Sequence, residues 1–458
     1  MAAFDLALAH VRSGTENLLT AEPINQLARR GGLEFRNTPL TPGNTLRLFV
    51  RQVAHGNVAC TAVRHLAGEK FTDSAWCQAR QRLPLELITQ VHATLVDAVR
   101  RELDAGHDRG PEPYRWHGHR LHVVDGTSDS MPDTPELRAH YDVPAGCRPE
   151  LGFPTSHLVM MMDHQSGLLL DCRDAELTAS DLSQTPPLHA HLSPGDVLLG
   201  DVAFAGWAHL ALLLQADLHA VMPMHHRRIV SFAPGRAHVH PHRGQATKRA
   251  GKPRARVLQT LGPDDQLVEY AKPKEQPAWM SDEQWKQLPE TITVREIRRT
   301  VKRHGFRPMT VCIVTTLLDP VAYPADELVE LRLTRWIIET NIRHLKITLG
   351  MDVLKCKTLP GIRKERWVFI LVYNLIRSVM LRAAQAQGVN VNRLSFADTL
   401  AWLRHGEVTE LPDLIVNPLR PGRLEPRVIK RQKKEFAYMT APRAELKAQL
   451  REKHCDTA

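Results

Sequence analysis

Residues 331–346 read LRLTRWIIETNIRHLK, and both the fold and the chemistry of this 458-residue chain depend on that stretch. At helical spacing it has two faces. Leu331, Ile338, Ile342, Leu345 and, just beyond, Leu349 recur at intervals of three, four and seven, which predicts one apolar stripe that must be buried. Arg332, Arg335, Glu339 and Lys346 also fall at such intervals, on a different side, so one carboxylate is flanked by three cations. Two readings fit. Either Glu339 makes ordinary one-turn salt bridges with Arg335 and Arg343 on a structural helix, or it is a metal-binding carboxylate whose neighbours hold a polyanion. Two further acids elsewhere in the chain bear on the choice.

The chain is long enough for two or three domains with a sizeable buried core. Its 43% hydrophobic and 24% charged residues are ordinary globular values and argue against wholesale disorder. Sixty Lys and Arg against 50 Asp and Glu leave a formal charge of +10, which suits a nucleic-acid partner. The seven Cys are scattered with no CxxC pair, which points to a reducing compartment and away from a disulfide framework or a cysteine zinc site. The opening MAAFDLALAHVRSG has an early acid and no long apolar run, so no signal peptide is expected. No run of about 18 apolar residues appears, so no membrane span and a cytoplasmic location are expected.

In chain order, residues 1–112 follow a helical pattern, with an amphipathic helix over 83–99 and basic residues gathered at Arg80 and Arg82. This is a helical packing domain or a domain that binds DNA ends; the second is adopted. After a Pro- and Gly-rich linker the period becomes extended. Residues 113–223 alternate strand and helix: a strand over 121–124 ending in Asp125, a hairpin from 157–162 to 167–172, a polar helix around 180–191, a strand over 196–199 delivering Asp201, then a helix over 205–216 and a strand over 218–222. Residues 224–322 form a basic, β-rich insertion. Its run 225–256 holds nine Lys or Arg and five His without an acid, an electrostatic contact surface for a polyanion. His238, His240 and His242 alternate there, but with no matching Cys cluster a zinc site is not expected. Strands are predicted over 291–299 and 309–317. Trp279 and Trp285 lie between polar residues; most Trp rings are structural, whereas an exposed one beside DNA stacks on a displaced base. Residues 323–386 return to the core with the Glu339 helix and a second helix over 364–385, apolar on nearly all sides. Residues 387–458 hold a short helix near 396–403, a basic tail and a closing helical stretch.

Asp125, Asp201 and Glu339 are thus three acids delivered by two strands and one helix. Each alone reads as a turn residue, a cap or a salt-bridge partner. Together they are the set that paired divalent ions about 3.5–4 Å apart require, with hard carboxylate oxygens and one acid shared. With no His or Cys among them the set favours Mg²⁺ or Mn²⁺ over zinc.

The sequence around these acids resembles the DDE transposases of the bacterial insertion-sequence-four family. The matching stretches are VVDGTS at 123–128, LLGDVAF at 198–204 and RLTRWIIETNIRHLK at 332–346. The family's third motif runs Tyr, two residues, Arg, three residues, Glu, six residues, Lys. Here Arg335, Glu339 and Lys346 match and Arg332 stands in place of Tyr. The run CQARQRLP at 77–84 and the tail with Pro442-Arg443 also resemble family members. The resemblance implies an α/β fold, with a ribonuclease H-like catalytic core interrupted by the insertion and flanked by the helical N-terminal domain and the helical C-terminal region. It implies that Asp125, Asp201 and Glu339 bind two Mg²⁺ or Mn²⁺ ions, and that Arg332, Arg335, Arg343 and Lys346 contact DNA beside the cut. Trp279 or Trp285 would take a flipped base at a hairpinned DNA end. The partners implied are double-stranded DNA, as transposon terminal inverted repeats and target, and a second copy of the chain. A non-catalytic DNA-binding protein is the alternative, and the Arg332 departure is what supports it.

Overall fold

In the computed structural model the described residues are 19–67, 70–105, 115–144, 152–224, 255–302 and 308–405, with a few positions beyond them. Most of the basic run at 225–256, the turn at 303–307 and nearly all of the C-terminal tail lie outside these residues, so the expectations placed there, His238 and His240 included, find no counterpart below.

Four principal helices open the described chain: α1 (Ala21–Arg30), α2 (Pro42–Ala54), α3 (Asp73–Arg82) and α4 (Leu85–Ala105). α2 and α3 begin at threonine caps whose hydroxyls accept from the backbone three residues on, and α2 carries Pro at its first turn, where a missing N–H costs nothing. Nine strands then form one sheet. They are β1 (Leu121–Ser130), β2 (Thr155–Asp163), β3 (Leu169–Glu176), β4 (Val197–Leu199), β5 (His219–Pro223), β6 (Ala255–Gly262), β7 (Asp265–Ala271), β8 (Thr291–Val301) and β9 (Met309–Thr315). Their spatial order is β6-β7-β8-β9-β5-β4-β1-β2-β3. β1, β4 and β5 run parallel, and every other pairing is antiparallel.

Insertion and core share one sheet, a relation the sequence reading left open: β9 pairs with β5 through Val314↔Met222 and its neighbours. The first strand is longer than expected. It continues to Ser130 because β2 pairs with it throughout, from His122↔Asp163 to Ser130↔Thr155, whereas its parallel pairing with β4 stops at Val123↔Leu199. Asp125 is therefore a mid-strand residue standing where the neighbouring strand has ended. The hairpin from β6 to β7 had no counterpart in the sequence reading, and the helix expected around 180–191 is a short α-turn followed by a 3₁₀ turn.

Both faces of the central sheet are covered, so the first four residues of β1 and nearly all of β2 are buried. Alternation sorts them. Val123, Met160 and Leu199 join the core under the N-terminal helices and the long helix over Leu359–Gln387; Val124, Met161 and Leu198 face α5 (Trp207–Gln215) and the insertion. After β9 come α6 (Ala325–Thr334), α7 (Ile337–Arg343), α8 (Leu359–Gln387) and α9 (Phe396–His405). α8 runs 29 residues between a Thr358 cap and Gly388 at φ 63°, the left-handed position that favours glycine. It is long and apolar enough to cross a membrane, but 83% of its apolar window is buried inside the protein, as expected of a core helix.

Polar groups tie α8 to the sheet. The Arg366 guanidinium donates to both Asp129 oxygens (2.8 and 3.0 Å) and to the Ser156 hydroxyl (2.9 Å), all three residues being buried. Asn374 accepts from the Leu169 N–H and donates to the Leu169 carbonyl at 2.9 and 2.7 Å, pairing with β3 as a strand would. Arg377 reaches the Ser166 carbonyl in the β2–β3 turn, and a Cβ at Gly167 would meet Arg377 Nη2 at 2.4 Å. Breaking a buried ion pair from one side leaves the other charge unpaired. Arg366→Met is therefore expected to destabilise the protein by about 3–5 kcal/mol, and Asp129→Leu in the same chain to recover most of that loss; urea denaturation of the single and double variants checks this.

Candidate active site

Asp125 and Asp201 are brought together by register. With Val123 opposite Leu199, each acid lies two residues further along its own chain: Asp125 is on the Val123 side of β1, Asp201 is just past the end of β4, and its charge acts on Asp125. Gly200 permits the tight exit from β4, where a Cβ would meet Met222 Sδ and Phe204 Cβ at 2.9 Å each. Asp201 then caps the 3₁₀ turn Val202–Phe204, its carboxylate accepting from the Ala203 N–H at 2.7 Å. Asp125 Oδ1 accepts from the Gly126 N–H at 2.9 Å. Burial raises the Asp125 pKa above the ordinary carboxylate range, with Arg335 opposing the rise and the nearby Asp201 charge adding to it.

Glu339 approaches from the same face. The apolar stripe behaves as its spacing predicts: Leu331, Ile338, Ile342, Leu345 and Leu349 are all buried in the core beneath the sheet. The single helix expected through 331–346 is instead α6, a turn at Arg335–Trp336, α7, and a π-helical turn over His344–Thr348. Arg335 and Trp336 keep right-handed backbone angles, so the path tightens and continues. The physical cause lies in Thr334, whose hydroxyl donates back to the Leu331 carbonyl at 2.6 Å and meets His164 Nε2 at 2.8 Å. Back-bonding of this kind bends helices.

The bend sets the position of Arg335. Its Nη1 donates to Asp125 Oδ2 at 3.0 Å and its Nη2 to Glu339 Oε1 at 2.6 Å, so one guanidinium lies between two of the three acids. The one-turn salt bridge expected between Glu339 and Arg335 is present, and the same cation crosses to Asp125. Arg332 stands beside them. Burial, then the neighbouring Arg335, lower its pKa, while Asp201, Glu339 and Asp125 all act to raise it, which puts all three acids within electrostatic reach of Arg332. Lys346, in the π turn, donates to Thr127 Oγ1 at 3.2 Å, two residues past Asp125 on β1. Arg343 is exposed, with no carboxylate partner among the described residues. In this arrangement no three His, Cys, Asp or Glu side chains among the described residues are grouped closely enough to hold an ion directly. The donor chemistry of Asp125, Asp201 and Glu339 nonetheless fits a hard divalent cation, and Arg335 supplies positive charge between two of them.

Trp279 and Trp285 lie away from this cluster. Both pack partly buried against the core on the insertion side, Trp285 edge-on to Trp207 at 5.8 Å and beneath Lys272. Trp336, three residues before Glu339 at the helix bend, is instead 53% accessible. Sequence reasoning passed over it, although its position off the apolar stripe and next to Arg335 was the available signal.

A family model described as a transposase DDE domain matches residues 116–375, more than half of the chain, spanning β1 through most of α8. This chain belongs to the DDE transposases. It is similar to the transposase InsG of insertion sequence element IS4 from Escherichia coli (strain K12), at 26% identity over 391 residues, covering 81% of this chain and 78% of that one. A cryo-EM structure of the piggyBac transposase synaptic complex with hairpin DNA is also similar, with a TM-score of 0.41, 11% identity, and coverage of 88% of this chain and 78% of that one. The match agrees with the resemblance carried by the three acidic motifs, and the enzyme is a DNA transposase.

Replacing Arg335 by Ala removes two charge-assisted hydrogen bonds. In buffer without divalent ions this transposase is expected to lose about 1.5–3 kcal/mol, the range for hydrogen bonds to charged groups. Arg335→Ala and Asp125→Asn should couple strongly in a double-mutant cycle; additive losses would show that the guanidinium does not hold the two acids together.

Proposed function

We propose that Asp125, Asp201 and Glu339 form the catalytic centre of this transposase and hold two divalent ions, Mg²⁺ or Mn²⁺, for cut-and-paste transposition. The observation that supports this most is the register that sets Asp125 beside Asp201, with Arg335 joining Asp125 to Glu339 across the same face. The order β3-β2-β1-β4-β5, with the first three strands antiparallel and the last three parallel, favours a ribonuclease H-like core. The domain reading, residues 1–112, 113–223, 224–322, 323–386 and 387–458, accords with that order, the insertion being joined to the core at β5.

When bound, the ions would activate the attacking oxygen and stabilise the leaving oxygen of an in-line displacement at phosphorus. The chain's own residues do the rest. Asp125, partly buried, and the exposed Glu339 present their oxygens from rigid elements on one face. Arg335 has to leave Asp125 for ions to enter, and its guanidinium is then free to take a phosphate oxygen of the strand being cut. Arg332, Lys346 and Arg343 line the approach and offset the charge that develops on the phosphate. Arg332 in place of a tyrosine adds a cation beside the acids and removes no ligand, so it does not favour a non-catalytic binder. A hairpinned end would form when the freed 3′-hydroxyl attacks the opposite strand, and a homodimer would hold both transposon ends and the target DNA. For a displaced base, Trp336 offers an exposed ring three residues before Glu339; Trp279 and Trp285 would have to serve from the insertion side.

The expected outcome is Mg²⁺-dependent cleavage at the terminal repeats flanking the gene, lost by at least a thousandfold in Asp125→Ala, Asp201→Ala and Glu339→Ala while DNA binding persists. Cleavage at parental rates in any of the three removes that acid from the site. Trp336→Ala is expected to spare the first nick and to slow hairpin formation or resolution at least tenfold, read on denaturing gels of end-labelled DNA. An unchanged hairpin rate would return the assignment to Trp279 or Trp285.

A further inference from the structure

Between the N-terminal helices and the start of α8 lies a cavity of about 760 Å³, well within the roughly 300–1,000 Å³ of small-ligand sites. Four cations line it: Arg80, Lys355, Lys357 and Lys364. None of the four forms an ion pair with a carboxylate among the described residues. Arg80 donates to two sulfurs, Cys60 Sγ at 3.2 Å and Cys356 Sγ at 3.1 Å, and to Gln52 Oε1 at 3.3 Å, while its Nε is buried with no partner. Lys364 donates to the Gln81 carbonyl at 2.7 Å, and Lys355 to the Asn57 carbonyl. Burial lowers the Lys364 pKa, with Arg80 adding to the effect against Cys356 and Glu86. Two acids also line the cavity, and each is hydrogen-bonded by neutral donors. Glu365 accepts from Asn57 Nδ2 and the Lys355 and Cys356 N–H groups, and Glu136 accepts from the Leu359 N–H. Four cations against two acids leave the wall net positive, and the half-buried Arg80 and Lys364 hydrogen-bond only to neutral acceptors and sulfur, which favours an anion in the recess. Pro360, Val58 and Ala59 add apolar wall beside the cations, a mixture that suits a phosphate joined to a less polar group.

The cavity is linked to the acids by the fold. Leu354, next to Lys355, donates to the carbonyl of Ser130, the last residue of β1, at 2.9 Å. Asp125 lies five residues back along that strand, roughly 17 Å away at 3.3–3.4 Å per residue. That is about five phosphate spacings along one DNA strand.

We propose that this cavity is a second binding site, for a phosphate ester carrying a nucleoside, which takes a nucleotide of the DNA strand running on from the acids so that the N-terminal helices and α8 grip it together. The proposal rests on the DNA reading above for its source of ligand; a free nucleotide has the same chemistry. Cys60 and Cys77 line the cavity and report on it directly. The full chain is labelled with N-ethylmaleimide and the rate at each cysteine followed by peptide mass spectrometry, alone and with inorganic phosphate, deoxyadenosine monophosphate, or a duplex carrying the terminal repeat. The expected result is at least tenfold slower labelling of Cys60 and Cys77 with the duplex and partial protection by millimolar nucleotide. Both effects should be lost in Lys357→Glu and in Lys364→Gln. Lys357 is exposed, so that variant keeps its fold, which circular dichroism verifies. Protection by micromolar nucleotide with none from DNA keeps the site and assigns it to a free ligand. Unchanged labelling on DNA that a gel shift shows to be bound, with none from the nucleotide or phosphate, overturns the proposal and leaves the DNA reading intact. If the gel shift shows no DNA bound, that reading fails, and the nucleotide and phosphate arms decide the cavity by themselves.

Discussion

Carboxylates gathered on one face of a sheet repel each other, and the candidate site depends on how that repulsion is met. Parallel pairing of Val123 with Leu199 fixes Asp125 beside Asp201 before any chemistry is considered. The backbone is held by a ladder that cannot slip by one residue without turning the buried side chains of both strands outward. Glu339 comes from a helix, so its distance from the pair is set by packing, through the buried stripe of Ile338, Ile342 and Leu345. Arg335 then joins Asp125 of that pair to Glu339. Because its guanidinium is planar and forked it can meet Asp125 and Glu339 at once, which a lysine in its place could not do with the same geometry.

The same cation makes both a local contact, to Glu339, and a long-range one, to Asp125. An i, i+4 pair is visible in sequence because helical spacing is one-dimensional. The second hydrogen bond, to an acid 210 positions away, is not, because nothing in the spacing of residues 331–346 states which strand will lie beneath them. What was legible followed that division. The apolar stripe, the β2–β3 hairpin, the strands at β8 and β9 and the buried character of α8 all rest on local periodicity. The break at Arg335–Trp336 was hidden because its cause is tertiary: Thr334 sits in an ordinary helical sequence until His164, from the β2–β3 turn, meets its hydroxyl. The β6–β7 hairpin was hidden for another reason. Most of β6 is exposed, so its sequence, ARVLQTLG, has no alternation to betray a strand, and its pairing comes from the buried β7 beside it.

Sharing a sheet also changes how the insertion relates to the site. A separate layer hinged on two linkers would be free to rotate against the core. Here β9 is hydrogen-bonded to β5, which is itself parallel to β4, the strand that delivers Asp201. Displacing the insertion as a body would break that ladder, so its orientation is fixed relative to the acids by the same kind of register that fixes the acids to one another. The partly buried Trp279 and Trp285 belong to that rigid body and are braced by the α5 core, whereas Trp336 stands on the bend between two short helices.

On the other side of the molecule the ties are of a different kind. α8 joins the sheet through Arg366, Asn374 and Arg377, and joins the N-terminal helices through Glu365 and Asn57, each a buried polar group with a named partner. A polar group buried in this way costs heavily if its partner moves, so it specifies one arrangement more sharply than apolar contact of the same area. The exception is the cavity at the start of α8, where the cations have only neutral or sulfur partners. In a protein that matches charge so closely around Asp129 and Asp125, a cavity wall of four cations against two acids leaves a balance of positive charge to be met by what it binds.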